Sequence, residues 1–343
     1  MINKNFWKNK RVFITGHTGF KGSWLSSILT SWGAEVTGYS NAIEDHHQLF
    51  KILKLENKLD HVLGDLRDHS HLKNILNEKK PEIVFHFGAQ ALVLKSYENP
   101  IETIETNILG TSYLLASLPD SVKVVINVTT DKVYENKERQ NAFLESDRLG
   151  GDDLYSASKS SSELITHAFR ESFFKNKDVK IVTARAGNVI GGGDYSPNRL
   201  FPDLWKSIES KKILKLRNPT ATRPWQHVLD CCHGYLLWAE SLEKQKHLAS
   251  SALNFSPDQP ASSVIELVEF IQKTYPELKL ETLIEKNDIQ EKLTLTLCSD
   301  LAKKEINWST KWDQFQSVKK TIEWYIAKNK VQKTQEQIDE FFI

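Results

Sequence analysis

Tyrosine and lysine stand four residues apart in the run Tyr155-Ser156-Ala157-Ser158-Lys159, and on a helix that spacing puts both side chains on one face. A phenol with an ordinary pKa of about 10 is a poor base at neutral pH, but an ammonium held beside it stabilises the phenolate. Such a pair can take a proton from a substrate hydroxyl. Tyr-x-x-x-Lys is also common by chance on helix surfaces, so its meaning depends on what surrounds it. The segment Thr129-Thr130-Asp131-Lys132 supplies a hydroxyl, a carboxyl and an amine in consecutive positions. Thr130 can bond a reacting oxygen beside the tyrosine, while Asp131 as acid and Lys132 as base are the two groups that an elimination of water needs. Lys132 is a base only when neutral, which requires burial or cationic neighbours. Standing alone, the same residues would read as a solvated turn.

A third pattern gives these residues a context. Thr15-Gly16-His17-Thr18-Gly19-Phe20-Lys21-Gly22 spaces glycines three apart between a predicted strand and a predicted helix. Gly16 would permit the tight turn, Gly19 the approach of backbone to a pyrophosphate and Gly22 close helix packing, with Thr18 and Phe20 in the same turn and the helix N-terminus facing the phosphates. The triplet alone would be a plain turn; between strand and helix it reads as a dinucleotide site. A positively charged nicotinamide would add to Lys159 in stabilising the phenolate, so that Tyr155 takes the proton of a sugar hydroxyl while hydride leaves the same carbon. The end of the second strand, Gly38-Tyr39-Ser40-Asn41, has neither the acid that favours NAD nor an arginine for its 2′-phosphorylated form, so the choice stays open there. Asp65, in Gly64-Asp65-Leu66, either bonds the adenine amine or caps a helix.

These residues need a frame. Short apolar runs at 11–15, 35–39, 61–63, 83–87, 122–128 and 180–184 alternate with helical periodicity at 21–32, 71–78, 101–117 and 155–174. The alternation predicts a doubly wound parallel sheet, a Rossmann α/β fold whose ligands lie off the carboxyl ends of the strands, where every motif above falls. After Gly187 the chain is broken by Gly191, Gly192, Gly193, Pro197, Pro202, Pro219 and Pro224, which predicts a smaller C-terminal α/β lobe. The expected division is 1–187 for the dinucleotide, with 226–260 returning to it through an apolar helix at 228–242, and 188–343 mainly for the substrate. In that lobe Asn188, Arg199, Arg217 and Arg223 suit a diphosphate and Trp225 or Tyr235 could pack on a ring, although exposed loop arginines would look the same. A charged helix with the apolar finish Phe341, Phe342 and Ile343 closes the chain.

Composition narrows the partners. With 45 Lys and Arg against 44 Asp and Glu in 343 residues, no net field argues for nucleic acid or an anionic membrane. Residues 1–10 contain no apolar leader core and no later run has the ~18 apolar residues of a membrane span, so a cytoplasmic protein is expected. Cys231, Cys232 and Cys298 read as reduced packing residues rather than disulfides or a zinc site. The eleven histidines show no ligand spacing; His86, on an apolar strand, reads as a core residue, and no metal is expected.

Together the motifs resemble the extended short-chain dehydrogenase/reductase family and, within it, the CDP-glucose 4,6-dehydratase group. The resemblance runs from Phe6 to about Leu242. It rests on G-H-T-G-F-K-G-S-W-L at 16–25, G-A-Q at 88–90, D-K-x-Y-E-N at 131–136, L-G-G-x-D-x-Y-S-A-S-K at 149–159, A-R-A-G-N-V-I-G-G-G-D at 184–194 and A-T-R-P-W-Q-H-V at 221–228. Lysine after the aspartate separates this group from the dTDP-glucose and GDP-mannose dehydratases, which carry glutamate. The resemblance implies NAD held by Gly16, Thr18, Gly19, Phe20, Gly22, Asp65, Leu66, Gly88, Ala89, Gln90, Tyr155 and Lys159. It implies that Thr130, Tyr155 and Lys159 serve oxidation at C4, Asp131 and Lys132 the elimination across C5 and C6, and that hydride returns to C6. Asn188, Arg199, Arg217, Arg223 and Trp225 would hold the nucleotide sugar. The implied product is CDP-4-keto-6-deoxyglucose, for deoxysugars of surface polysaccharides such as O-antigen, made by a homodimer or homotetramer that associates through helices like those at 101–117 and 155–174. Two departures stand out: Val133 replaces the usual cysteine, and Ala91 and Leu94-Lys95 replace a proline and a basic pair near the substrate. A different NDP-hexose 4,6-dehydratase and a nucleotide-sugar 4-epimerase are the alternatives. Asp131-Lys132 speaks against the epimerase, and the intact Tyr155, Lys159 and glycine turn speak against a silent binding protein.

Overall fold

The structure is a computed structural model that describes residues 2–41, 46–137, 139, 141–216, 218–244, 249–284 and 295–343. Six strands, β1 (Arg11–Thr15), β2 (Glu35–Ser40), β3 (Asp60–Leu63), β4 (Ile83–His86), β5 (Val124–Val128) and β6 (Lys180–Ala186), join Ala252–Phe255 in one sheet. Its order is Ala252–Phe255, β6, β5, β4, β1, β2, β3, and every neighbouring pair is parallel. A parallel sheet is covered on both faces, which is why β4 and β5 are buried at every position and are apolar except at His86 and Asn127. The winding reverses between β1 and β4, and the register sets Thr15 level with Tyr39 on one side and His86 on the other. Their carboxyl ends therefore open into one crevice.

Alternation along the strands splits the apolar residues between two layers. Val12, Ile14 and Phe85 pack with Trp24, Leu25 and Ile28 of the helix Phe20–Ser31 and with Leu229, Tyr235 and Trp238 of the helix Val228–Lys244. On the opposite face Phe13, Val84, Val125 and Ile181 meet Leu72 and Leu76 of His69–Lys79 and Leu114 of Gly110–Ala116. Tyr235 has no exposed surface and accepts a hydrogen bond from Cys231 Sγ at 2.8 Å, so it cannot stack on a ligand ring. His86 sits between Thr15 Oγ1 at 2.6 Å and Thr111 Oγ1 at 3.0 Å.

The helix expected at 101–117 is interrupted. It runs as Pro100–Ile104, a π turn Glu105–Leu109, then Gly110–Ala116. A π turn rotates one extra side chain inward; here Asn107 is buried, its Oδ1 accepting from Gln90 N at 2.8 Å and its Nδ2 donating to Ser158 Oγ at 2.9 Å. The helix expected at 155–174 likewise passes from Leu154–Phe169 into a π turn, Arg170–Phe174.

The second lobe has a core of its own, built from Phe201, Leu204, Trp225, Leu267, Ile271, Val318 and Ile322. The last helix, Lys330–Phe341, leaves that core and crosses to the first lobe. Phe342 meets Trp32 edge-on at 4.9 Å, and Lys311 Nζ donates to the carbonyl of Phe341 at 2.6 Å. Among the described residues no helix is long and apolar enough to cross a membrane.

Asp230, in the first turn of Val228–Lys244, holds this crossing. Its Oδ1 accepts from Lys311 N at 2.6 Å, while Oδ2 is buried without a partner. Burial pushes its carboxyl up to about 7 despite the amides of Lys311 and Trp312. A carboxyl whose folded pKa lies above its unfolded value weakens the fold once ionised, so the penalty is complete above about pH 7 and fades as the pH falls towards the unfolded value near 4. Asp230→Asn should therefore flatten the pH dependence of the melting temperature between about pH 5 and 8, removing a penalty of up to a few kcal/mol at the upper end. Parallel melting curves for variant and parent would contradict this account.

Candidate active site

Gly16 adopts φ +70°, and a Cβ there would stand 2.8 Å from Gly88 N, so the ends of β1 and β4 touch backbone to backbone. A Cβ at Gly22 would lie 2.3 Å from Gly16 O, which seats the helix Phe20–Ser31 directly on the turn. Gly19 differs: its Cβ would meet only Gly16 O, at 3.4 Å, and face open cavity. Open space before a helix N-terminus, beside unblocked backbone, is a cradle for phosphate. Thr18, Phe20, Leu66, Gly88, Ala89 and Gln90 line the same cavity, and Thr18 Oγ1 is fixed to Ser40 Oγ at 2.6 Å. These residues fit a dinucleotide. At the far end, Asp65 is clasped by Arg67, Nη2 to Oδ2 at 2.6 Å, and that guanidinium holds its carboxyl below the usual range. The helix cap is instead Asp68, which accepts from His71 N at 3.0 Å, so Asp65 is left on the cavity wall.

Asp153 starts the helix that carries the tyrosine and lysine, accepting Ser156 N at 2.9 Å. Tyr155 and Lys159 follow one turn apart and face the same cavity. Lys159 Nζ donates to Val128 O at 3.0 Å; burial, then the charge of Lys21, lowers it to about 8. Burial raises the Tyr155 phenol to about 12, opposed by Arg199 and by a hydrogen bond with Thr130. The phenol is thus neutral until further positive charge reaches it.

The strand β5 runs into a short 3₁₀ turn, Asp131–Val133. Thr130 Oγ1 donates to Asp131 Oδ1 at 3.0 Å, and the same hydroxyl favours ionisation of the Tyr155 phenol, which places it between the Tyr155 site and the carboxyl. Asp131 is buried, and its Oδ2 has no partner. Burial pushes its carboxyl up, against the charges of Lys132, Arg223 and Lys21 and the Thr130 bond. A buried carboxyl whose ionisation is disfavoured and that has a free oxygen is suited to donate a proton. Lys132 is half-buried beside it.

From the second lobe, Arg199 reaches the Tyr155 cavity with its guanidinium on Asp194 at 3.1 Å. The charge of Arg223 bears on Asp131. Asn188, at the seam after β6, accepts Gln226 N on its carbonyl at 3.0 Å. Trp225 lies in the lobe core, edge-on to Phe201 and donating to Ser262 O at 3.2 Å, which accounts for it as a packing residue. Arg217 lies outside the described residues. Sequence reasoning passed over Lys21 and Ser196, which line the cavity together with Lys95, already placed near the substrate; Lys21 stood inside the glycine motif, and its charge was the available signal.

Sheet, glycine cradle and tyrosine–lysine helix define a dinucleotide-binding α/β protein of the extended short-chain dehydrogenase/reductase type. The chain belongs to the GDP-mannose 4,6 dehydratase family, whose model matches residues 13–321. It is 41% identical over 335 residues, 95% of this chain and 93% of that protein, to a CDP-glucose 4,6-dehydratase of Salmonella typhimurium. It is 25% identical over 92% of its length to the human dTDP-D-glucose 4,6-dehydratase, of which 90% is covered. Among solved structures, the dTDP-glucose 4,6-dehydratase of Bacillus anthracis in complex with NAD superposes with a TM-score of 0.76 at 21% identity, covering 97% of this chain and 98% of that one. The UDP-glucuronic acid 4-epimerase of Bacillus cereus gives 0.79 at 20%, covering 92% and 98%. These two likenesses speak for the fold alone.

Proposed function

We propose that this chain is an NAD-dependent nucleotide-sugar 4,6-dehydratase that converts CDP-glucose to CDP-4-keto-6-deoxyglucose and water, for deoxysugars of surface polysaccharides. The observation that carries the reading is Asp131: a buried carboxyl, biased towards its protonated form, with one free oxygen, bonded to Thr130 and flanked by Lys132. An epimerase has no use for that acid. The substrate follows the 41% identical relative.

NAD, held by Gly16, Thr18, Gly19, Phe20, Gly22, Asp65, Leu66, Gly88, Ala89 and Gln90, supplies when bound a hydride acceptor at C4 and later a hydride donor at C6. Tyr155 takes the O4 proton, with Lys159 stabilising the phenolate and Thr130 bonding O4. The C4 ketone acidifies the hydrogen on C5. Lys132 removes it while Asp131 gives its proton to the departing C6 hydroxyl, so water leaves and a C5–C6 double bond forms. Lys132 then returns a proton to C5. In this scheme Asn188, Arg199 and Arg223, with Arg217, hold the nucleotide diphosphate in the lobe formed mainly by 188–343. Incubation with NAD and CDP-glucose should generate the alkali-induced absorbance of a 4-keto-6-deoxy sugar; silence with every nucleoside diphosphohexose would end the reading, whereas activity on another base would move only the substrate.

The same proposal includes a homodimer or homotetramer. Tyr97, Ile101, Leu164 and Phe173 are between 57% and 65% exposed on neighbouring helices, a patch that a monomer has little reason to show. Light scattering should report at least a dimer, and Leu164→Glu with Phe173→Glu should shift it towards monomer.

A further inference from the structure

The turn that carries Thr130, Asp131 and Lys132 hangs between Thr129 and Tyr134, and a single buried ion pair grips both of its ends. Glu163, one turn beyond Lys159 on the helix Leu154–Phe169, accepts Arg185 Nε at 2.9 Å on each carboxylate oxygen and Arg185 Nη2 on Oε2. The side chains are 3% and 5% exposed. On the upstream side Thr129 Oγ1 donates to Glu163 Oε1 at 2.6 Å. On the downstream side Arg185 Nη1 donates to Tyr134 OH at 2.8 Å, and the guanidinium carbon lies 4.9 Å from the centre of that ring. Tyr134 OH passes the constraint on to Asn254 Oδ1 of the edge strand at 2.7 Å.

Stability alone is a poor account of this arrangement, because a buried ion pair is often matched or exceeded in stability by apolar side chains of similar volume. What the pair does is connect three pieces of chain: the helix bearing Tyr155 and Lys159, the strand β6, and the turn bearing Asp131 and Lys132, which Ser160 Oγ of the helix also meets at Val133 O at 2.8 Å. Reacting groups must be held to within about 0.5 Å of their working geometry. C4, the site of oxidation, and C5 and C6, the sites of elimination, lie at fixed spacing in one sugar ring. We propose that Glu163 and Arg185 are positioning residues that, through Thr129 and Tyr134, set the offset of the acid and base on the turn from the tyrosine–lysine site on the helix. This rests on the dehydratase reading above. The two halves of the reaction are then separable. Loosening one grip should leave the tyrosine and lysine where they are and displace only the acid and base.

The test uses the full chain loaded with NAD and mixed rapidly with CDP-glucose, following both the absorbance of reduced nicotinamide and the release of 4-keto-6-deoxy product. Thr129→Val and Tyr134→Phe each delete one hydroxyl and leave the ion pair intact, and melting curves establish that they fold. Nicotinamide reduction should proceed near the parental rate while product release slows on the order of tenfold or more, so that reduced nicotinamide accumulates. Thr129→Ser should restore both. Parental product release in Thr129→Val and Tyr134→Phe, or equal slowing of both steps without accumulation, would overturn the proposal. A parent that makes no product would instead bring down the dehydratase reading and this proposal with it.

Discussion

Asp131→Asn combined with Lys132→Met is expected to slow water loss by roughly 10²–10⁴-fold, while the reduced nicotinamide formed in the first half-reaction persists. The carboxyl is the buried group whose ionisation the protein resists, and its Oδ2 is unclaimed. The amide of asparagine keeps the shape and can still accept from Thr130, but it has no proton of useful acidity to give the C6 oxygen. Methionine keeps much of the lysine stem and removes the base. Neither change touches Tyr155 or Lys159 directly, so oxidation at C4 should survive, and stopped-flow absorbance would reveal a long-lived reduced cofactor. Unimpaired product formation in the double variant would exclude these residues from the elimination.

Tyr155→Phe is expected to act earlier and more completely, by roughly 10³-fold or more, because Tyr155 is the base that takes the O4 proton as hydride leaves. No reduced nicotinamide should appear, which distinguishes this variant from the one above. The phenol's surroundings also fix a pH trend. Burial holds it at about 12, Arg199 opposes burial, and the Lys159 ammonium one turn along the helix would add to that opposition and make the phenolate more accessible. Activity in the parent should therefore rise with pH along an acid limb set by the phenol, and Lys159→Met should move that limb upward. An unmoved limb in Lys159→Met would mean that lysine does not tune the phenol.

Much of the frame was legible in the chain because each signal was local. Six β-rich runs at short intervals, a glycine triplet between the first strand and helix, and Tyr155 four residues before Lys159 all depend on neighbours within a few positions. Boundaries were less secure: the π turns at Glu105–Leu109 and Arg170–Phe174 shift the helical phase once, by about 100°, and the stretches on either side are too short for a second phase to show in the pattern. Site membership was hardest where it is set by distant partners. Asp65 was balanced between ligand and cap until Asp68 took the cap. Trp225 looked like a ring platform until Phe201 and Ser262 occupied it. Arg223 was grouped with the diphosphate, and only the fold brought its charge to bear on Asp131. The grip of Glu163 and Arg185 spans 22 residues of sequence and has no pattern that a single chain would display.

The return of Val228–Lys244, Ala252–Phe255 and Lys330–Phe341 to the first lobe has an evolutionary corollary. Severed after Gly187, the amino-terminal piece would lack a covering layer and its outer strand, and the carboxyl-terminal piece would carry apolar surfaces with nothing to shelter them. Lobes laced in this way cannot be traded wholesale between relatives. New sugar or base preferences would have to arise by changes in place, at positions such as Ala91 and Lys95 on the cavity wall.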